Sequence, residues 1–185
     1  MTEPTVAGAL SAASDQELIE FVRLCADFDW RNSEIQTRRV LREQLGWRGG
    51  AEDDEMVTPS GAVAQILGDD AQTDSVSLDH TDWQEDLPEE IDDDHPISIR
   101  FDELAAVFDD EFDTVAVEGT TFDGELGLFW MYEDGTRIWL TDYSVVVVSP
   151  SLASAEDYLE DNPEAFDELL DDGEDDEPGV SFLRQ

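Results

Sequence analysis

An Asp-Gly pair at 134–135, between two runs of strand-forming residues, is the sequence feature that most constrains the fold. This pair favours a two-residue type I′ turn, because both central positions of that turn need positive φ. The turn predicts a hairpin in which Tyr132 pairs with Arg137 and Trp130 pairs with Trp139. Because side chains alternate between the two faces of a strand, these four side chains are expected to share one face.

The predicted face of Trp130, Tyr132, Arg137 and Trp139 has two interpretations. Tryptophan, tyrosine and arginine are enriched where protein partners bind, so the face is a candidate protein-interaction site. Alternatively, a helix covers the face, which then forms a second layer of the core. The apolar residues that could provide such a cover are Leu159, Phe166 and Leu170.

The charge of the chain limits the solvent in which it can fold. The 185 residues include 49 acidic side chains and 9 arginines but no lysine, so the net charge is −40. Self-repulsion of this size destabilises a compact chain in dilute buffer, whereas molar salt shortens the Debye length to about 3 Å and screens the repulsion. The composition resembles that of proteins from extremely halophilic archaea and their viruses, a likeness of composition and not of family. A DNA-mimicking inhibitor, whose carboxylates imitate phosphates, is a lesser alternative.

The composition and the hydropathy pattern also bear on location and partners. The N-terminal residues show no basic segment followed by an apolar core, and no run approaches the roughly 18 apolar residues that a membrane span needs. We therefore expect a protein of a high-salt cytoplasm or of a virion, with no membrane contact. Non-specific cations from the salt would accompany its acidic surface.

The arginines are concentrated in one part of the chain. Six of the nine lie within residues 23–48, together with only four acidic residues. Two helices are predicted there, one opened by the Ser14 capping box and ending near Phe28, and one over 34–45. The arginines that could dock a nucleic acid or a protein partner are Arg31, Arg38, Arg39, Arg42 and Arg48.

Two hypotheses compete for these arginines. Two helices with arginines on the second one suggest a helix-turn-helix reader, in which guanidinium groups contact phosphates and guanine edges. Alternatively, the arginines are neutralised locally, because Glu34–Arg38 and Arg39–Glu43 have the i,i+4 spacing of helical ion pairs. Molar salt weakens phosphate contacts by counterion release, which favours the second hypothesis.

The pattern as a whole predicts an α+β protein. A small N-terminal three-helix unit precedes an acidic linker and a C-terminal antiparallel sheet of about four or five strands with flanking helices. The third helix is expected from Thr58-Pro59 to Gly68, and residues 97–101 alternate like a strand. The predicted divisions are a flexible arm over 1–13, the helical unit over 14–68, the acidic linker or strap over 69–96, the α+β domain over 97–170 and an acidic tail over 171–185.

The sequence contains no motif for nucleophilic, metal-dependent or phosphate chemistry. Cys25 lies in the apolar face of the first helix, and His80 and His95 lack the spacing of metal ligands. We therefore expect no cofactor, no metal site and no enzymatic activity, although an unrecognised carboxylate-dependent hydrolase is a lesser alternative. The leading hypothesis is a non-enzymatic interaction or assembly protein that binds a protein partner or its own copies. The alternative is a helix-turn-helix nucleic-acid-binding regulator.

Overall fold

The computed structural model describes residues 12–81, 95–113, 115–121 and 125–162, without the side chains of 159–161. It confirms the predicted α+β class. The helices are α1 (Asp15–Ala26), α2 (Glu34–Leu45), α3 (Pro96–Phe112) and α4 (Pro150–Asp161). The strands are β1 (Arg48–Gly49), β2 (Glu55–Val57), β3 (Val63–Gly68), β4 (Thr73–Asp79), β5 (Val117–Thr120), β6 (Leu126–Met131), β7 (Arg137–Leu140) and β8 (Ser144–Val148).

All of these strands belong to one antiparallel sheet of eight strands, which is larger than predicted. Its order is β1-β2-β3-β4-β8-β7-β6-β5, so two meanders of consecutive strands meet where β4 pairs with β8. Residues of α1, α2 and α3 join the main core on one face of the sheet, here called the first face. On the second face, α4 packs on a smaller apolar cluster whose buried members are Trp139, Val148 and Ala153.

The first two helices form as their local signals predict. Ser14 and Glu17 make a reciprocal capping box at the start of α1, and α2 ends at Gly46, which has a φ of 71°. Glycine adopts this left-handed backbone conformation without steric cost, because it has no side chain. Thr37 and Leu41 turn the inner side of α2 towards the sheet, where the Thr37 hydroxyl lies 2.7 Å from that of Thr73.

The predicted third helix is wrong, because residues 63–68 form strand β3. The residues at 58–61 make a hairpin turn instead of a helix start, with Thr58 N–H donating to Ala62 O at 2.9 Å and Gly61 at a φ of 103°. In β3, Ala64 and Ile66 are buried and the intervening residues are exposed. The apolar spacing that fits a helix here fits a strand equally well, and pairing with β2 and β4 decides the outcome.

The predicted linker over 69–96 is also wrong in its first part. Residues 73–79 form β4, a central strand that pairs with β3 on one side and β8 on the other. Val76 and Leu78 point into the main core, while polar residues alternate with them. Ser75, Ser77 and Asp79 lie on the second face of the sheet and alternate with Val76 and Leu78. Because these residues are polar, the sequence does not resemble that of a buried strand. The rest of the predicted linker, at 82–94, lies outside the described residues.

The strand predicted over 97–101 is wrong, because these residues begin α3. Pro96 occupies the first turn, where its missing N–H costs nothing, and His95 is the N-cap. The alternation of Ile97, Ile99 and Phe101 suggests a strand, yet the apolar positions continue as 97, 101, 104 and 108 with helical spacing. The longer pattern determines the structure because it places one stripe of the helix against the core.

The hairpin between β6 and β7 exists, but its predicted register is wrong by one residue. Tyr132 N–H donates to Thr136 O at 2.8 Å, which leaves a loop of residues 133–135. Within this loop only Gly135 has a positive φ, at 92°. The Asp134 carboxylate accepts a hydrogen bond from Thr136 N–H. This geometry matches a three-residue loop that ends in a glycine bulge. A slip of one residue changes which side chains share a face, so Trp130 pairs with Ile138.

The predicted flexible arm and the predicted acidic tail fall mostly outside the described residues. Residues 1–11 of the predicted arm and the predicted tail at 171–185 are outside the described residues. At the end of the arm, Ala12 N–H donates to His80 O at 3.3 Å and Ala13 is buried.

Candidate interaction surface

The register divides the predicted aromatic face between the two sides of the sheet. Trp130 is 3% exposed on the first face, where its indole N–H donates to Asp109 at 3.1 Å. Tyr132 is half-buried nearby, and its hydroxyl donates to Val22 O at 2.9 Å. Burial raises the pKa of this phenol. Both side chains also contact the ring of Phe112, so α1 and α3 cover this half of the predicted site.

The other half of the predicted site lies on the second face, against α4. Arg137 is 4% exposed and donates from its two terminal nitrogens to Glu156 and Asp157. Its guanidinium carbon lies 4.7 Å from the ring centroid of Phe129. Trp139 is 2% exposed and donates to Glu156 at 3.2 Å. We refer to Arg137, Trp139, Glu156 and Asp157 as the Arg137 network.

The four residues therefore do not form one surface in the folded chain. Each pair is covered by a different element: Trp130 and Tyr132 by α1 and α3, and Arg137 and Trp139 by α4. The hydrogen bonds of the Arg137 network connect strand β7 to helix α4. The side chain of Leu159, with Phe166 and Leu170, lies outside the described part, so the cover proposed from these residues is not seen.

Two of the predicted docking arginines are held by neighbouring carboxylates. Arg38 makes the predicted ion pair with Glu34, at 2.9 Å, and a terminal nitrogen of Arg38 donates to Glu55 O at 3.4 Å. Arg31 is exposed but forms an ion pair with Asp29 at 3.0 Å. This pair raises the pKa of Arg31 and lowers that of Asp29. The charges of Arg31 and Arg38 are therefore partly neutralised by Asp29 and Glu34, respectively.

The other three predicted docking arginines are exposed and form no such pair within the described residues. Arg39, Arg42 and Arg48 are all exposed, and none is within ion-pair distance of a carboxylate in the described residues. The predicted Arg39–Glu43 ion pair is therefore not formed. Of these three arginines, two lie on α2 and Arg48 lies in edge strand β1.

An exposed isoleucine completes the surface on α2. Ile35 is 74% exposed, the most of any large apolar side chain on that helix. Positions 35, 39 and 42 are spaced i, i+4 and i+7, so their side chains lie along one side of the helix. We call Ile35, Arg39 and Arg42 the α2 outer face. The sequence contained a signal for it, since Ile35 falls outside the stripe of Thr37 and Leu41 that packs on the sheet.

The other chemically interesting side chains are core or capping residues. Burial raises the pKa of Cys25, which makes its thiolate less accessible. His80 is fully buried, its Nε2 lies 2.8 Å from Thr141 O, and burial lowers its pKa to about 4. His95 Nδ1 accepts a hydrogen bond from Ile97 N–H at the start of α3. Within the described residues, no group of three or more His, Cys, Asp or Glu side chains is arranged to hold a metal ion.

The helices also bear on membrane insertion. Among the residues described, none of the helices has both the length and the apolar character needed to cross a bilayer.

Comparison with known proteins identifies no relative. No protein-family model, no curated protein and no solved structure matches the chain. The α2 outer face and the charge of the chain are therefore the features from which a function can be inferred.

Proposed function

We propose that the chain is a non-enzymatic interaction protein that binds an acidic segment of a protein partner through the α2 outer face. The observation that carries this proposal is the exposure of Arg39 and Arg42, without carboxylate partners among the described residues, beside the exposed Ile35. Carboxylates outnumber arginines 49 to 9 in this chain, so arginines without an ion-pair partner are unexpected. Guanidinium groups recognise carboxylates in a bidentate manner, which fits a partner of the same acidic character.

The solvent proposed for this protein restricts how such a surface can work. In molar salt the Debye length is about 3 Å, so only groups in direct contact attract each other. Direct arginine–carboxylate hydrogen bonds persist under these conditions better than long-range steering does. Apolar contact is also needed, and Ile35 supplies it on the same side of α2 as the two arginines. The composition supports a role of this kind in the high-salt cytoplasm of a halophile or in the particle of one of its viruses.

A nucleic-acid-binding regulator is the second candidate, because Arg39 and Arg42 lie exposed on the second of two consecutive helices. Three observations favour the protein partner. The link between α1 and α2, residues 27–33, is longer than the roughly three to four residues of a helix-turn-helix. The face contains an aliphatic residue and no aromatic side chain that could stack on bases. The net charge of −40 repels DNA more strongly than a short acidic peptide segment, because duplex DNA carries a much denser row of negative charges.

The test measures binding of three labelled probes by fluorescence anisotropy in molar potassium chloride. The probes are an acidic peptide containing leucines, the same peptide with the leucines replaced by serine, and a short DNA duplex. We expect binding of the leucine-containing peptide only. The Arg39→Gln/Arg42→Gln variant should abolish binding and Ile35→Ser should weaken it.

The matched control is Arg23→Gln, which removes an exposed arginine that is paired with Glu111 away from α2. It should leave binding unchanged, which separates the α2 outer face from a general effect of charge. If the wild type binds the duplex and the Arg39→Gln/Arg42→Gln variant does not, the nucleic-acid-binding regulator is favoured instead. If neither peptide nor duplex binds at any salt concentration that keeps the protein folded, the α2 outer face has no such role.

A further inference from the structure

Among the strands that the structure describes, β5 forms one edge of the sheet and pairs only with β6. Its partners include Phe129 for Val117 and Gly127 for Gly119. Beyond the end of the strand, Thr121 N–H donates to Glu125 O at 2.8 Å in the same register. Residues that donate to the neighbouring strand alternate in an antiparallel pair, so the N–H and C=O groups of 117, 119 and 121 point to β6. Those of Glu118 and Thr120 therefore point away from the sheet.

These outward backbone groups have no partner within the part of the chain that is described. Glu118 and Thr120 are both exposed, whereas the N–H of Ala116, which also points outward, donates to Asp109 at 3.0 Å. Natural edge strands are protected by proline, by a bulge, by charged side chains, by a covering element or by very short length, and on β5 only Glu118 is of this kind. The opposite edge, β1, has only two residues, but β5 has four, with no proline and no bulge. Within the described residues, the outward N–H and C=O groups of Glu118 and Thr120 are therefore available for pairing.

We propose that β5 pairs antiparallel with β5 of a second copy, which joins the two sheets across a two-fold axis. In the register that fits best, Gly119 lies opposite Gly119 of the second copy, and Glu118 lies opposite Thr120. Glu118 then exchanges two N–H···O=C bonds with Thr120 of the second copy. The two-fold axis generates an equivalent pair of bonds between Thr120 and Glu118 of the second copy. The glycines occupy the close, non-hydrogen-bonded position, where Cα atoms approach to about 4.5 Å.

The register centred on Glu118 is less favourable. A shift that places Glu118 opposite Glu118 brings like charges together, which destabilises a cross-strand pair. That shift also needs the N–H of Ala116, which Asp109 already holds. The Gly119-centred register avoids both problems.

The surroundings of β5 suit a second copy of this acidic chain. The exposed large apolar side chains concentrate here, with Val115 at 78% and Leu126 at 79%, and Val117 and Met131 above half. Residues 115–121 and 125–132 contain only Glu118 and Glu125 as acidic residues. Few acidic side chains therefore lie along β5 and β6 themselves, and molar salt screens the remaining repulsion between two copies.

The test is the oligomeric state of the full chain by sedimentation equilibrium in molar potassium chloride. We expect a dimer whose dissociation constant rises about tenfold or more in Thr120→Pro, because each copy loses an outward donor. Proline at this position leaves the β6 ladder intact, since Thr120 N–H does not point to β6. The control Thr120→Val keeps the N–H and should dimerise like the wild type. The Arg39→Gln/Arg42→Gln variant should also dimerise, which separates this inference from the α2 outer face.

Hydrogen exchange on the wild type gives a second measurement that does not depend on the folding of a variant. Protection of the Glu118 and Thr120 amides should increase with protein concentration, while the Gly119 amide, bonded to β6, should not change. A monomer at every concentration would overturn the proposal. So would a dimer in which these two amides gain no protection, or one that Thr120→Pro leaves equally stable.

Discussion

Replacement of Arg137 by methionine tests whether the Arg137 network attaches α4 to the sheet. Methionine keeps much of the length and the apolar stem of arginine but removes its charge and its donors. Glu156, which is 8% exposed, would then be buried without the arginine that neutralises it. Its remaining donor in the network is the indole N–H of Trp139. The second carboxylate, on Asp157, has a 58% exposed side chain and can be hydrated instead.

The size of the effect follows from this difference in burial. Removing one partner of a buried ion pair costs about 3–5 kcal/mol, because an uncompensated charge remains in a poorly hydrated place. Since only Glu156 of the two carboxylates is buried, we expect about 3 kcal/mol, at the lower end of that range. In a thermal melt of a chain of this length, that free energy would lower the midpoint temperature by about 6–12 °C.

The assay is urea unfolding in molar potassium chloride, followed by tryptophan fluorescence and circular dichroism. A double-mutant cycle with Glu156→Met measures the coupling free energy between the two side chains. The Arg137→Met/Glu156→Met variant removes both charges and should recover most of the lost stability, because apolar replacement of a whole buried pair is often neutral. Arg31→Met is the control, since that arginine pairs with Asp29 in solvent and its loss should leave the midpoint unchanged.

Two results would refute this account of the Arg137 network. One is a cost for Arg137→Met no greater than that of Arg31→Met. The other is a double variant as unstable as Arg137→Met alone, which would mean that the loss comes from other contacts of the guanidinium, such as that with the Phe129 ring, and not from its pairing with Glu156.

Three further predictions follow from the charge, from His80 and from the hairpin. Cooperative unfolding should be lost below a few tenths molar salt, and a thermal melt by circular dichroism that is unchanged from low to molar salt would contradict the proposed solvent. Burial lowers the pKa of His80 from 6.5 to about 4, so the stability it contributes is present above pH 6.5 and is lost as pH falls towards 4. Histidine ring NMR, with His95→Gln for assignment, should show the low pKa, and an unshifted His80 would be inconsistent with the buried ring. Gly135→Ala should cost about 1 kcal/mol at its positive φ, and Gly49→Ala, with open space around it and no positive φ, is the control in urea unfolding.

Local signals accounted for the helices at the N-terminus and for the position of the hairpin. Ser14 and Gly46 act within one turn of the chain, so their neighbours in the sequence are sufficient to predict them. The four consecutive valines at 145–148 lie in β8, between β4 and β7. In each case the residues that make the decisive contacts are close together in the sequence or are all apolar.

The candidate surfaces were harder to predict because exposure depends on distant segments. Arg39 was predicted as a docking residue, but its freedom from Glu43 and its position beside Ile35 are known only from the folded helix. The aromatic residues of the hairpin look like a binding site in the sequence, yet α3 and α4 cover them from opposite sides. The open edge at β5 depends on the order of strands in the sheet, which no local pattern specifies.

By itself the sequence determined the acidic character of the chain, the α+β class, two capped helices and the existence of a hairpin at 134–135. Only the tertiary structure decided that residues 63–68 form a strand, that β4 lies in the middle of the sheet, and that Trp130 and Trp139 point to opposite faces. The reason is that caps and turns act over a few residues, whereas strand pairing is set by contacts between distant parts of the chain. A change of one residue in the hairpin loop costs little locally, but it determines which side chains reach the core.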